Sequence, residues 1–224
     1  MLTKEDIKHL PRSVQNYIAY TRTLGKTKLS NAKIEQIGYI NVDGKWRKLA
    51  AKQEFDFLRK SFSWKARIGL VRVTDLFVEE KGLLKVKLLG LIKVAEISGE
   101  EIDQGEALRL LSEMIWFPSA FVSDYIHWQE IDENTAKASI KYGGKNASAT
   151  FYFEPNGKVR LIKAKRYMEH KGKFSLEDWE VGNFEYREFN GTVIPYKGEI
   201  SWKLKQGRTC YCKIELTEVL ENIK

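Results

Sequence analysis

The chain has 224 residues and a mass of 26.0 kDa, with 43% hydrophobic, 12% aromatic and 30% charged residues. That composition excludes a disordered polar chain and supplies a core that needs no staples, and only 4 prolines argue against long linkers. Lys+Arg 38 against Asp+Glu 30 leaves a net charge of +8, but the basic residues are spread along the chain, as on a solvated surface, rather than gathered in a block.

The opening segment, Met1 to Asp6, carries acids and no apolar run, and no later stretch reaches bilayer length. The sequence as it stands is expected in the cytoplasm, with association at a membrane surface as the alternative. One domain over residues 1–224 is expected.

Apolar residues at helical spacing (Leu10, Val14, Tyr17, Ile18, Leu24) predict an N-terminal helix over 10–24, with Pro11 in its first turn and Gly25 ending it. A first set of strands follows over 32–98. Leu49, Ala51, Phe55 and Phe57 share one face, as do Trp64, Ala66 and Ile68 on the next run and Leu84, Val86 and Leu88 later. Leu83 to Ile97 is interrupted by Lys85, Lys87, Lys93 and Glu96, which suits strands better than a membrane helix. A helical insert over 103–122 breaks the alternation. Asp103 and Glu106 form a capping-box pattern, Ala107, Leu108, Leu111, Met114 and Ile115 form a stripe, and Pro118 stops the helix.

A second set of strands covers 126–219, with one-sided runs at Ala138 to Tyr142, Ala147 to Phe153 and Ile200 to Leu204. The candidate turns are Asp43-Gly44, Lys81-Gly82, Gly143-Gly144, Asn156-Gly157, Lys171-Gly172 and Asn190-Gly191. Strands with one apolar and one polar face belong to antiparallel sheet. About 10–12 of them are too many for a flat sheet. The expected fold is mainly β (α+β): a curved antiparallel sheet forming a half-open barrel, with the N-terminal and mid-chain helices over its concave face.

Few constellations point to chemistry. Histidines stand only at 9, 127 and 170 and cysteines only at 210 and 212, with no metal-ligand spacing, so no metal or other cofactor is expected. Cys210 and Cys212 read as buried thiols on the face of Ile214 and Leu216. No Gly-x-Ser-x-Gly or glycine-rich phosphate loop occurs. Glu113, just before the aromatic segment, and His127 are the residues to inspect for acid–base work, with a buried ion pair and a strand histidine as the plainer readings. No catalytic residue is assigned. Lys158, Arg160, Lys163, Lys165 and Arg166 change phase within one strand and form no continuous basic stripe, so a nucleic-acid partner is disfavoured. What remains is aromatic: Trp64, Trp116, Phe117, Trp128 and Trp202 are candidates to line the interior of a wide barrel, although core packing explains each singly.

Several segments resemble an uncharacterised prokaryotic family of unknown function. They are Leu-Pro-x-x-Val-x-x-Tyr at 10–17, Trp-Arg-Lys-Leu-Ala-Ala-Lys-Gln at 46–53, Phe-Ser-Trp-Lys-Ala-Arg at 62–67, Glu-Met-Ile-Trp-Phe-Pro-Ser-Ala at 113–120, and Tyr-Arg-Glu-Phe-Asn-Gly-x-x-Ile-Pro-x-x-Gly-Glu-Ile-x-Trp at 186–202. That family is similar in architecture to the LolA/LolB-like lipoprotein carriers, whose half-open barrels hold helices over a hydrophobic concavity that receives acyl chains. Its members often carry a membrane segment ahead of the Leu-Pro helix. The resemblance implies non-catalytic binding of a lipid or other hydrophobic small molecule in the barrel interior. The rival expectations are a structural or protein-interaction module with a filled core and, third, an enzyme acting on an apolar substrate. Oligomeric state is left open.

Overall fold

The computed structural model describes residues 1–223. Two short helices, α1 (Lys4–Ile7) and α2 (Arg12–Tyr20), precede six strands: β1 (Asn31–Val42), β2 (Lys45–Asp56), β3 (Ser61–Ile68), β4 (Val71–Val78), β5 (Lys81–Leu88) and β6 (Ile92–Ser98). Helix α3 (Glu100–Glu113) and two 3₁₀ turns, Met114–Trp116 and Pro118–Val122, lead into the rest. Those are β7 (Ile126–Asp132), β8 (Thr135–Tyr142), β9 (Lys145–Phe153), β10 (Val159–His170), β11 (Lys173–Phe189), β12 (Thr192–Leu204) and β13 (Gly207–Glu221). Among these elements no helix is long and apolar enough to cross a membrane.

All 13 strands form one antiparallel sheet in the order β6-β5-β4-β3-β2-β1-β13-β12-β11-β10-β9-β8-β7. Each half of the chain is therefore a meander, and the first strand closes on the last. At that seam Gly38 allows an unusually close approach: a Cβ there would lie 1.9 Å from the Lys213 carbonyl oxygen. The edges β6 and β7 are consecutive in the chain, and α3 lies between them. It packs on β4, β5 and β6 from one flank and on β8, β9 and β10 from the other, so the sheet curls around it as a half-barrel. The count exceeds the expected range by one strand.

The local chemistry explains where the observed boundaries depart from the expected ones. Helix α2 ends earlier than Gly25, because Arg22 adopts a left-handed φ of 59° and Thr23 N–H donates to the Ile18 carbonyl at 3.2 Å. With Arg22 N–H donating to Ala19 at 3.0 Å, this is the Schellman pattern with arginine where glycine is usual. Gly25 instead donates to Leu2, tying down the N-terminus. Helix α3 starts at Glu100 behind Gly99, not at Asp103. Asp103 does not cap it: its carboxylate accepts from Gly82 N–H at 2.7 Å and from Lys81 at 2.9 Å, docking the helix onto β5.

The same contact displaces an expected turn. Glu79 and Glu80, with φ of 50° and 64°, make the β4–β5 turn, and Gly82 sits inside β5, where a Cβ would meet the Ile102 carbonyl oxygen at 2.8 Å. Pro118 does not merely stop a helix; it opens the second 3₁₀ turn.

Candidate functional site

The inner face of the sheet is built by the alternation that the sequence carries. Along β2 the inward positions are Leu49, Ala51, Gln53 and Phe55, and along β3 they are Phe62, Trp64 and Ala66, all buried. On the opposite flank Ala138, Ile140, Ala149, Phe151 and Phe153 face inward from β8 and β9. Helix α2, α3 and the 3₁₀ turns fill the space between. Phe117 sits between Phe55 and Phe57, at ring distances of 5.0 and 5.1 Å. Phe121 lies 5.0 Å from Trp128, which in turn lies 5.2 Å from Phe151. The Tyr17 hydroxyl on α2 donates to the Ile115 carbonyl at 2.5 Å, pinning the first 3₁₀ turn.

The five expected lining residues share the inner side but not one chamber. Phe117 is fully buried, and Trp64 nearly so, with its indole N–H donating to Gln36 at 2.8 Å. Trp116 and Trp128 are half-buried at the margin of the same core, Trp128 donating to the Phe121 carbonyl at 3.1 Å. Trp202 stands apart, stacked on Tyr211 at 5.6 Å, and Tyr211 accepts from Trp179 at 3.0 Å. His127 is exposed on the outward face of β7 and does not approach Glu113.

A buried polar cluster lies under α3, and only Glu113 of it is conspicuous in the sequence. Arg109 donates to Asp75 at 2.6 Å, to Glu113 at 2.9 Å and to Gln53 at 3.3 Å. Gln53 completes the ring by donating to Glu113 at 2.6 Å. The guanidinium lies over Trp64 at 4.6 Å and Phe62 at 5.1 Å. Burial lowers the Arg109 pKa, but Glu113, Asp75 and Glu106 outweigh it and hold the group charged. Burial raises the Glu113 carboxyl, and Arg109 opposes the rise.

Glu106, one turn before Arg109 on α3, is pushed well above the carboxylate range by burial and then by the charge of Asp75. Asp75 Oδ1 and Glu106 Oε2 are both buried without a hydrogen-bond partner among the described residues, and a proton shared between the two carboxyls would satisfy both. Arg166 on β10 approaches Glu106 from the far flank at 3.4 Å and lies over Trp179 at 5.2 Å. It thus turns inward, away from Lys163 and Lys165. Further fastenings run from α3 to both flanks: Glu100 to Lys145, and Gln104 to the Lys165 carbonyl at 2.8 Å and the Tyr167 N–H at 3.3 Å.

The cysteines are split by a β-bulge. Cys212 lies opposite Ile200 on the inner face, Cys210 opposite Ser201, and Tyr211 takes the inward place expected for Cys210. Burial pushes the Cys212 thiol up to about 12.

The larger clefts lie elsewhere. Two, of about 710 and 720 Å³, are lined mainly by outward side chains of β1 to β5 and β11 to β13. One of about 380 Å³ flanks Phe62 and Val78 at one end of β3 and β4, and one of about 500 Å³ opens where the start of α3 meets Gly82, Tyr142 and Lys145.

In fold the chain is similar to a DUF1329 family protein from Desulfovibrio piger, with a TM-score of 0.54 at 11% identity, covering 94% of this chain and 92% of that one. It is also similar to the LolA superfamily protein NE2245 from Nitrosomonas europaea, with a TM-score of 0.51 at 9% identity and 94% of each chain covered. A Vibrio parahaemolyticus domain provisionally assigned to outer membrane lipoprotein sorting gives 0.50 at 4% identity over 93% and 92%. No curated protein matches the chain significantly. The model of the family of unknown function DUF6544 matches residues 1–214, and the chain belongs to that family.

Proposed function

We propose that the protein binds a lipid tail or comparable apolar molecule, without chemistry, between the inner face of the half-barrel and α3 with its 3₁₀ turns. One observation carries this reading: the aromatic inner wall is covered not by a second sheet but by helical segments, α2 and, strung between the two sheet edges, α3 with its 3₁₀ turns. A cover attached at its two ends can swing as a unit, and the wall it would expose is formed by Phe55, Phe62, Trp64 and Phe151, with Phe117 and Trp116 on the cover. Trp128 sits at the margin and Trp202 outside this region. The likeness of fold to the LolA superfamily supports the same reading.

A second reading, an interaction module whose interior stays filled, is favoured by the position of the larger clefts on the outer face and at the rim. One experiment separates the two. The full chain is titrated with a brominated fatty acid, following tryptophan quenching, and native mass spectrometry counts adducts. The carrier reading expects one adduct and quenching that shrinks in Trp64→Phe. Absence of both adduct and quenching leaves the filled module.

A further inference from the structure

The turns between β3 and β4 and between β5 and β6 lie side by side, with Leu89 N–H donating to the Leu70 carbonyl at 2.8 Å. Together they expose Leu70, Leu89, Leu91, Ile92 and Val94, each between 57% and 84% accessible. Single exposed hydrophobics are ordinary, whereas three on two joined turns and two at the start of β6 beside them form a patch.

Directly behind the patch runs a row of cations. The register places Arg67 opposite Arg72, Arg72 opposite Lys87, and Lys87 opposite Lys93. Like charges directly opposed across strands are unfavourable. Only Lys93 has an acid partner, Glu96; Arg67, Arg72 and Lys87 make no ion pair among the described residues. The outer cleft of about 720 Å³ continues the positive surface through Lys52, Lys65 and Lys85. On this face Glu35, Glu54 and Glu96 pair with Lys52, Lys33 and Lys85 respectively, and Glu218 stands opposite Glu35, away from the row.

We propose that this end of the protein docks on an anionic lipid bilayer, the leucine-bearing turns entering the headgroup–acyl boundary and the Arg67–Arg72–Lys87–Lys93 row meeting the phosphates. The spacing fits. Arg72 stands two residues after Leu70, Lys87 two before Leu89 and Lys93 two after Leu91. Two strand residues span about 7 Å. That matches the roughly 5–10 Å depth to which interfacial apolar side chains sink. A nucleic acid would use the cations but not the leucines, and a second copy pairing along the β6 edge would use the leucines but bring a like-charged row against this one. The bilayer uses both. The inference goes beyond the interior ligand and stands whatever the interior holds.

The test is co-sedimentation of the full chain with phosphatidylcholine vesicles, with and without about 30% phosphatidylglycerol. We expect binding to the anionic vesicles at least roughly ten-fold tighter, lost in R67Q/R72Q/K87Q and weakened roughly ten-fold in L89S/L91S, with melting temperatures not lowered, because these side chains are exposed and neutralising the row relieves its repulsion. Equal or absent binding to the two vesicle types overturns the proposal. So does binding that L89S/L91S leaves intact while a single-stranded oligonucleotide competes equally. A dimer that L91S dissociates, with no vesicle binding, overturns it in favour of a second copy.

Discussion

Replacing Arg109 by methionine keeps much of the side-chain volume and removes the only cation among the described residues that is hydrogen-bonded to Asp75 and Glu113. Three hydrogen bonds and two aromatic faces lose their partner at once. Breaking a buried pair from one side costs about 3–5 kcal/mol, because the carboxylates remain in a medium that does not solvate them. Against a typical total of roughly 5–15 kcal/mol, that is a large fraction. The loss is expected to depend on pH. Without the cation, the buried Glu113 carboxyl escapes the penalty by taking up a proton, so the deficit is larger at pH ~8 than at pH ~5. Urea unfolding followed by tryptophan fluorescence at both pH values measures it. Asp75→Asn and Glu113→Leu added to Arg109→Met remove the stranded charges and should recover at least about 2 kcal/mol. A loss in R109M below about 1 kcal/mol at both pH values, or no recovery in the triple variant, refutes the claim that the cluster is a dry, interdependent network.

Three further outcomes follow from particular residues. Glu106 is raised in the folded protein, so its stabilising contribution is complete below its unfolded value near 4.5 and is lost as pH rises toward the folded value. Glu106→Gln, whose amide does not ionise and can donate to the unpartnered Asp75 oxygen, should therefore gain on the wild type by up to about 1.4 kcal/mol per pH unit over that window, read as the difference between two urea series. Gly38→Ala sets a Cβ against the Lys213 carbonyl across the β1–β13 seam and should cost about 3 kcal/mol or more in thermal unfolding, since both clashing groups are backbone-anchored. Cys212, buried with its thiol pushed up to about 12, should resist alkylation at pH ~8 in the native protein and react once it is unfolded, as mass spectrometry of the modified peptide would show.

Most of the sheet was legible because one face of nearly every strand is apolar and five of the six expected two-residue turns fall where the chain reverses. The Glu79-Glu80 turn was not, because it is stabilised from a distance: Glu80 accepts from Gly143 N–H and pairs with Lys60. Helix α1 escaped notice for its length, although Thr3 and Asp6 form a full capping box. The interior was misjudged in one respect. Alternation says which side chains point inward but not how much of the space α2, α3 and the 3₁₀ turns occupy, and they occupy much of it. The buried polar cluster had a signal that went unread. Gln36, Gln53 and Asp75 are polar residues at inward phase among Ile34, Ala51, Phe55 and Phe77, which is where a strand ordinarily places hydrocarbon. Their partner Arg109 could not be named, because it lies on another element and alternation carries no contacts between elements.

The claim on which the functional reading rests is that α3 is a detachable cover. Hydrogen–deuterium exchange of the full chain, with and without oleic acid, tests it most directly. Protection across Glu100–Glu113 should fall when oleic acid is added, while the inner strands β2, β3, β8 and β9 keep theirs. Unchanged protection of α3 at saturating oleic acid, or exchange rising equally in helix and strands, contradicts it.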